Sequence, residues 1–410
     1  MIGLENHPYY YHYQIGKQKF STKLFALYAR EKLQDKQITW HFPNWENSLS
    51  KIDTTKEPEE SLQDLYLQRA IQLRNEYDYL ILHYTGGDDS HQILETFMLN
   101  NIFIDEIAVH TYNNDKLKSI LQDHILLDYY HEPIKSAIPQ ARFYIDTFSQ
   151  KTKLTIINDV YGINISYWCN FDESKIQNYL KSCSLGIQPR LTFRNKDLTL
   201  FNKEWQKITE MKKVGHIYGK EKVKLNFDSV GYYIHMTDIN VVDFIDLSHV
   251  ISQKDLPNNM ELFFIHPNFV KIHVKQAHLI LNNLKKEEIS SYNNKVYSTR
   301  KIEDLYSGVI YKFKNKRLFT GPKYADATIE LTKNKNLSEN KLKKYLSIDY
   351  FSEYTMALYN NEISHNYKKV VDTIQTSFFP KKSLENVVDF FDEVFSTNKH
   401  YVRYHNGNTQ

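Results

Sequence analysis

Cysteine is nearly missing from this chain. Its 410 residues include two, Cys169 and Cys183, in no C-x-x-C spacing, which excludes a disulfide framework and a cysteine-built zinc site. Glycine is scarce at 12 residues, and Gly86-Gly87 is the only adjacent pair. Long apolar runs are missing: none reaches the length of a bilayer span. The first residues, Met1-Ile2-Gly3-Leu4-Glu5, lack the basic region and apolar stretch of a secretion signal. A cytoplasmic protein with no membrane partner is therefore expected. An excess of one charge is missing too, since 52 Lys and Arg face 49 Asp and Glu for a net charge of +3.

What is present is a globular balance, 41% hydrophobic and 25% charged, with length for two or three domains and a large core. Charge is unevenly distributed. From Lys271 to Lys344 there are 17 Lys and Arg against seven Asp and Glu, so this segment carries about +10. A polyanion, tRNA or DNA, is the partner such a segment would suit.

The chain is organised around Asp78 to Asn101. An apolar run, Tyr79 to Leu82, ends in Thr85-Gly86-Gly87-Asp88-Asp89-Ser90. Ile93, Leu94, Phe97 and Met98 then recur on one helical face. The pattern predicts strand, tight turn, helix. Adjacent glycines let an anion approach backbone N–H groups with no Cβ in the way, and the helix start offers further donors. Thr85 and Ser90 add hydroxyls, and Asp89 suits a divalent cation held against phosphate oxygens.

The hexapeptide Thr85 to Ser90 resembles the S-G-G-x-D-S/T pyrophosphate loop of the PP-loop ATP pyrophosphatases, the superfamily of the asparagine synthetase synthetase domain, NAD and GMP synthetases and phosphoadenylylsulfate reductases. It departs from that pattern in having Thr85 for Ser, which keeps the hydroxyl, and Asp88 at the free position, which adds a negative charge. The resemblance implies a parallel, Rossmann-like HUP sheet with ATP and Mg²⁺ as cofactors. The turn residues and Asp89 would bind the nucleotide and metal, and His110 and Thr111 would pair with adenine. Lys220 and Lys222 would join Asp89 as catalytic groups. An arrangement similar to that of phage-encoded members extends from about Tyr9 to Leu284: an aromatic start, Arg69-Ala70 and Leu73-Arg74 on one helix, the glycine turn, and a Lys275-Gln276-Ala277-His278 helix. A phage-encoded chain would act in the host cytoplasm. Asparagine synthetase carries a glutaminase nucleophile, a cysteine, directly after its initiator Met; Ile2 stands here, so no glutaminase of that type is expected.

Taken in order, residues 1–60 read as an N-terminal α+β extension, with helical spacing at Leu24 to Leu33, alternation at Ile38 to Phe42, and a charged connection from Lys51 to Glu60. Residues 61–290 form the nucleotide domain. Ser61 caps a helix whose apolar side is Leu62, Leu65, Tyr66, Ala70, Leu73 and Tyr77, with Arg69 and Arg74 elsewhere. Strands follow at Asp105–His110, Leu154–Ile157, Val214–Tyr218 and Met260–Ile265. Helices are expected at Lys116–Tyr129, Pro133–Phe148, Glu173–Lys181 and Asn202–Met211, and another after Pro267. Ligands bind at the carboxyl ends of parallel strands, which groups the turn with His110, Thr111, Asp159 and Lys220. Asp159 is either a second metal or substrate ligand or a helix cap. Lys275 and His278, at i and i+3, share a face and are candidates for the acceptor pocket. Residues 291–410 read as a basic, mostly helical region. In it Tyr311, Phe313 and Phe319 alternate with Lys312, Lys314, Lys316, Arg317 and Lys323; three helices follow, and a frayed tail runs from His400.

Two functions follow as expectations. One is an adenylating enzyme that splits ATP into AMP and pyrophosphate and hands an activated oxygen-bearing acceptor to a nitrogen or, less readily, sulfur nucleophile. The other is a catalytically retired nucleotide-binding module used for interaction or structure.

Overall fold

The computed structural model describes residues 8–20, 23–33, 37–110, 133–157, 203–219, 224–238, 260–283 and 395–403. The chain begins with β1 (His12–Ile15), β2 (Gln18–Phe20), α1 (Lys23–Leu33), β3 (Thr39–His41) and α2 (Pro43–Leu49). The three strands form an antiparallel sheet in the order β2-β1-β3. The connection that follows, residues 51–60, has no helix or strand, as its charge suggested.

The next helix, α3 (Leu62–Glu76), starts where the sequence places it. Ser61 Oγ accepts from Asp64 N at 3.1 Å and Asp64 Oδ2 accepts from Ser61 N at 3.3 Å, a reciprocal cap. Then come β4 (Tyr79–His83), α4 (Asp88–Leu99) and β5 (Glu106–His110). Asn101, with φ of 55°, ends the helical course after Asn100. A single π-helical turn at Pro133–Ala137 leads into α5 (Ile138–Phe148), followed by β6 (Lys153–Ile157), α6 (Lys203–Met211) and β7 (Val214–Tyr218). After these come β8 (Lys224–Phe227), β9 (Tyr232–His235), β10 (Met260–Leu262), a 3-10 turn (Pro267–Phe269), α7 (Lys271–Asn283) and β11 (His400–Val402).

Five strands make one parallel sheet in the order β10-β7-β4-β5-β6, so the protein is α/β with helices flanking a parallel sheet. Leu80 to His83 are buried throughout, as a strand covered on both faces must be. Leu80 and Leu82 share one buried cluster with Leu65 and Leu73 of α3, Ile93 and Phe97 of α4, and Ile272 and Leu281 of α7. Ile81, Ala108 and Val214, on the other face, are covered by Trp205 of α6. From β4 the chain proceeds to β5 and β6 on one side, then returns to β7 and β10 on the other. The order therefore reverses between β4 and β7.

Three features correct the sequence reading. Arg69, expected away from the apolar side of its helix, is itself fully buried, with Nη2 2.6 Å from Glu261 Oε2 and 3.2 Å from the Leu262 carbonyl. The chain end is not wholly frayed, because His400–Val402 pairs antiparallel with β9 in a third sheet, β11-β9-β8. That sheet is anchored by buried Asp238, which accepts from Tyr13 OH at 3.1 Å and from Phe395 N at 3.0 Å and faces Lys23 Nζ at 3.3 Å. Finally, the β8–β9 hairpin had no counterpart in the sequence reading. The helices expected at Lys116–Tyr129, Glu173–Lys181 and between Lys341 and Phe395, and both cysteines, lie outside the described residues. No helix among the described residues is long and apolar enough to cross a membrane.

Candidate functional site

The Thr85–Ser90 turn sits at the carboxyl end of β4, beside the point where strand order reverses. Tyr84 is buried, and its N–H still belongs to the sheet, donating to the Ala108 carbonyl at 2.9 Å. Gly86 then takes φ of +79°, and a Cβ there would lie 3.1 Å from Ala137 Cα in the π turn. Both the left-handed backbone and the close approach require glycine. Gly87 caps α4 with extended geometry, its carbonyl accepting from His91 N at 2.9 Å and from Ser90 Oγ at 3.1 Å. On the opposite side Gly219, just past β7, approaches so closely that a Cβ would lie 2.8 Å from Ser90 N and 2.9 Å from Asp89 C. Two backbone segments thus grip the turn.

Two of the turn's amides are engaged by its own hydroxyls: Thr85 N donates to Ser90 Oγ at 3.2 Å and Gly87 N to Thr85 Oγ1 at 3.3 Å. Thr85 is exposed, while Gly87, Asp88 and Asp89 are half-exposed. Asp88 and Asp89 lie in the first turn of α4, where the helix dipole favours a carboxylate and, equally, any other anion. The charge of Asp89 reaches the buried Tyr66 phenol, which burial holds far above the usual tyrosine range. Gln276 Nε2 donates to that phenol at 2.8 Å.

A buried polar network lies directly beneath the turn. His91 Nδ1 is 2.9 Å from Tyr84 OH, and His91 Nε2 is 3.2 Å from Glu95 Oε1. Tyr144 OH donates to the same Glu95 oxygen at 2.5 Å. Tyr84 OH also donates to Gln140 Oε1 at 3.2 Å, and Gln140 Nε2 to Ser136 Oγ at 2.7 Å. The sequence reading missed all of these. The signal available was His91 and Glu95 at i, i+4 on the otherwise apolar side of α4.

The α6 face of the sheet carries a second unanticipated cluster. His83 stacks on Tyr218 at 4.1 Å and lies 3.0 Å from His216 Nδ1. Trp205 packs edge-on against both imidazoles and donates to buried Glu106, which also accepts from Tyr79 OH. Burial pushes His216 down to about 3, so it stays neutral.

The other predicted residues divide into two groups. His110 closes β5, its backbone paired with Ile157 of β6. Thr111, Asp159, Lys220 and Lys222 lie outside the described residues. Lys275 and His278 are engaged elsewhere: Lys275 Nζ lies 2.7 Å from Glu57 and donates to the Pro58 carbonyl at 2.9 Å, and His278 Nε2 donates to the Thr54 carbonyl at 3.0 Å. Together with Lys271, which pairs with Glu60, they fasten the connection 51–60 to α7. The face they share is bonded to this connection, and of the three polar residues only Gln276 reaches toward the turn through Tyr66. The described start of the basic segment is thereby matched by acids; most of Lys271–Lys344 lies outside the described residues.

No group of three or more His, Cys, Asp or Glu able to hold a metal occurs among the described residues. The oxygen donors of Asp88, Asp89, Thr85 and Ser90 suit a hard cation that completes its shell with water and ligand phosphates. Compared with protein-family models, curated proteins and solved structures, the chain gives no match.

Proposed function

We propose that this protein is an ATP-dependent adenylating enzyme of the PP-loop pyrophosphatase type, built on a Rossmann-like HUP sheet. One observation carries the reading: the glycine turn leaves the carboxyl end of the central strand beside the reversal of strand order and opens directly into a helix N-terminus. Open parallel sheets bind ligands at that place, and the backbone there presents donors to an anion.

In the proposed reaction, an acceptor oxygen attacks the α-phosphorus of ATP. The bond from that phosphorus to the bridging oxygen breaks, and pyrophosphate leaves with the electron pair. A nitrogen nucleophile, or less readily a sulfur one, then displaces AMP. The turn at Gly86–Ser90 would meet the developing charge of the leaving pyrophosphate with donors already in position. Asp89 would hold Mg²⁺, which neutralises phosphate charge when bound. Lys220 and Lys222 are the cations proposed to face the phosphates, and His110 and Thr111 the adenine contacts. Asp159 is retained as a substrate contact, and a tRNA or DNA base as an acceptor class beside small molecules.

A second reading, a catalytically retired nucleotide-binding module, is favoured by the two amides that the turn's own hydroxyls engage and by Asp88 in the first turn. Incubation with Mg-ATP and a cell extract separates the two. AMP with pyrophosphate, abolished in Asp89→Ala, is the expected result. ADP with phosphate removes the assignment, and ATP binding without turnover favours the module. A steep loss of RNA or DNA binding with added salt supports a nucleic-acid acceptor, and a flat response removes it.

A further inference from the structure

Among the described strands, the parallel sheet ends on one side at β6. Lys153 N donates to the Asp105 carbonyl at 2.9 Å, so Lys153 turns its backbone groups toward β5, and the unbroken parallel ladder makes Thr155 and Ile157 do the same. Leu154 and Ile156 alternate with them. Their N–H and C=O groups therefore point away from β5, and no hydrogen bond among the described residues takes them up. Edge strands are ordinarily blunted by an outward charge, a proline or a bulge. None of these protects β6: its register is continuous, and the two outward positions carry Leu and Ile, with Leu154 half-buried and Ile156 37% exposed. Thr155, Ile156 and Ile157 are β-branched, which suits extended pairing.

We propose that β6 is a self-association edge: two copies of this chain pair β6 with β6, antiparallel about a two-fold axis at Thr155, and so join their five-stranded sheets into one. The register follows from the outward groups. In an antiparallel ladder, bonded residues face each other with both N–H and C=O. Of the symmetric registers, only the one centred on Thr155 uses both outward residues of each copy within the strand, with Leu154 of one copy opposite Ile156 of the other. This sets aliphatic pairs on one face and places Lys153 opposite Ile157, so no like charges meet. The outward positions are uncharged and complementary to themselves, which favours a second copy over a charged partner. The contact is short, so the association is expected to be weak and to depend on concentration. It is independent of the nucleotide reading of the glycine turn.

The test is sedimentation equilibrium of the full-length chain over a range of concentrations. A reversible dimer is expected for the wild type. Ile156→Lys puts an ammonium opposite Leu154 at both ends of the pairing and is expected to weaken it about tenfold or more. Thermal unfolding, followed alongside, reports whether that variant keeps the fold. Thr155→Cys tests the register independently: the central pair lies between bonded pairs, where Cα atoms stand about 4.5 Å apart, within reach of a disulfide. On mild oxidation a disulfide-linked dimer is expected in Thr155→Cys and not in the wild type, whose cysteines are Cys169 and Cys183. A wild type that stays monomeric at every concentration overturns the proposal, whether the edge is idle or serves another protein's strand. So does a dimer that a folded Ile156→Lys leaves as tight as before, and so does a dimer that Thr155→Cys fails to link.

Discussion

The first turn of α4 and the first two turns of α7 are both rich in polar groups, and they are wired in different ways. On α7 each charge meets a complementary one: Lys271 faces Glu60, Lys275 faces Glu57, and His278 donates to a carbonyl of the same connection. Nearby, Arg69 of α3 is matched to Glu261 in the interior. On α4 two aspartates gather at one helix start, hydroxyls knit the turn, and glycine stands where two other backbones press in. Matched charges at α7 hold an extended segment in place. At α4 neighbouring backbone segments do the holding, pressed around a turn that opens a helix. Residue chemistry alone did not mark α7 as a brace; the partners its lysines and histidine have in the fold do.

The sharpest way to break this comparison is to unmatch a buried pair on the bracing side. Arg69→Ala leaves Glu261 buried beside Tyr9 and Tyr77 without its cation, and is expected to cost about 3–5 kcal/mol in urea unfolding. A loss below about 1 kcal/mol would show that the pair holds little. Next in size is Gly219→Ala, whose methyl would meet the backbone of Ser90. Overpacking of about 1–3 kcal/mol is expected, together with loss of pyrophosphate binding in calorimetry. Retained affinity would sink the claim that the grip on the turn matters.

Acid gives a smaller and graded effect. Burial pushes His273 down to about 4 and His216 to about 3, and Trp45 Nε1 donates to His273 Nδ1 at 3.1 Å, which requires the neutral ring. Both values lie below that of an unfolded histidine, so the unfolded chain binds these protons first. Their stabilisation is complete above about pH 6.5 and falls as pH drops toward 4 and 3, by about 1–2 kcal/mol per residue between pH 7 and 5.5. Denaturant midpoints at several pH values check this, and His273→Asn should flatten the slope. The smallest effect is expected for Lys275→Ala: about 1 kcal/mol or less of stability, since the pair is partly exposed, with Mg-ATP binding unchanged. A loss of ATP binding there would return α7 to the site.

The strand, turn and helix around Gly86 were legible because each was encoded locally, by a buried run, an adjacent glycine pair and a helical period. The parallel strands at Glu106, Lys153, Val214 and Met260 were legible for the same reason. Long-range pairing was not. Glu261 is 192 positions from Arg69, and Pro58 is 217 from Lys275, so nothing near either base marked it as matched. The three-residue β11 is too short to show alternation, and only its pairing with β9 makes it a strand. The support under the turn escaped notice because Tyr84 and Gln140 read locally as core and helix surface.

The third sheet has a consequence for how the chain is made. β9 ends at His235, and its neighbour on one side begins only at His400. At ordinary ribosomal speeds of about 5–20 residues per second, the partner emerges on the order of ten to thirty seconds later. Until then this edge of β9 lacks the partner it has in the folded protein, and an unpaired edge is the feature that invites pairing with a stranger. A chain cut short before His400 is therefore expected to associate more readily than the full chain, which light scattering of the two would check.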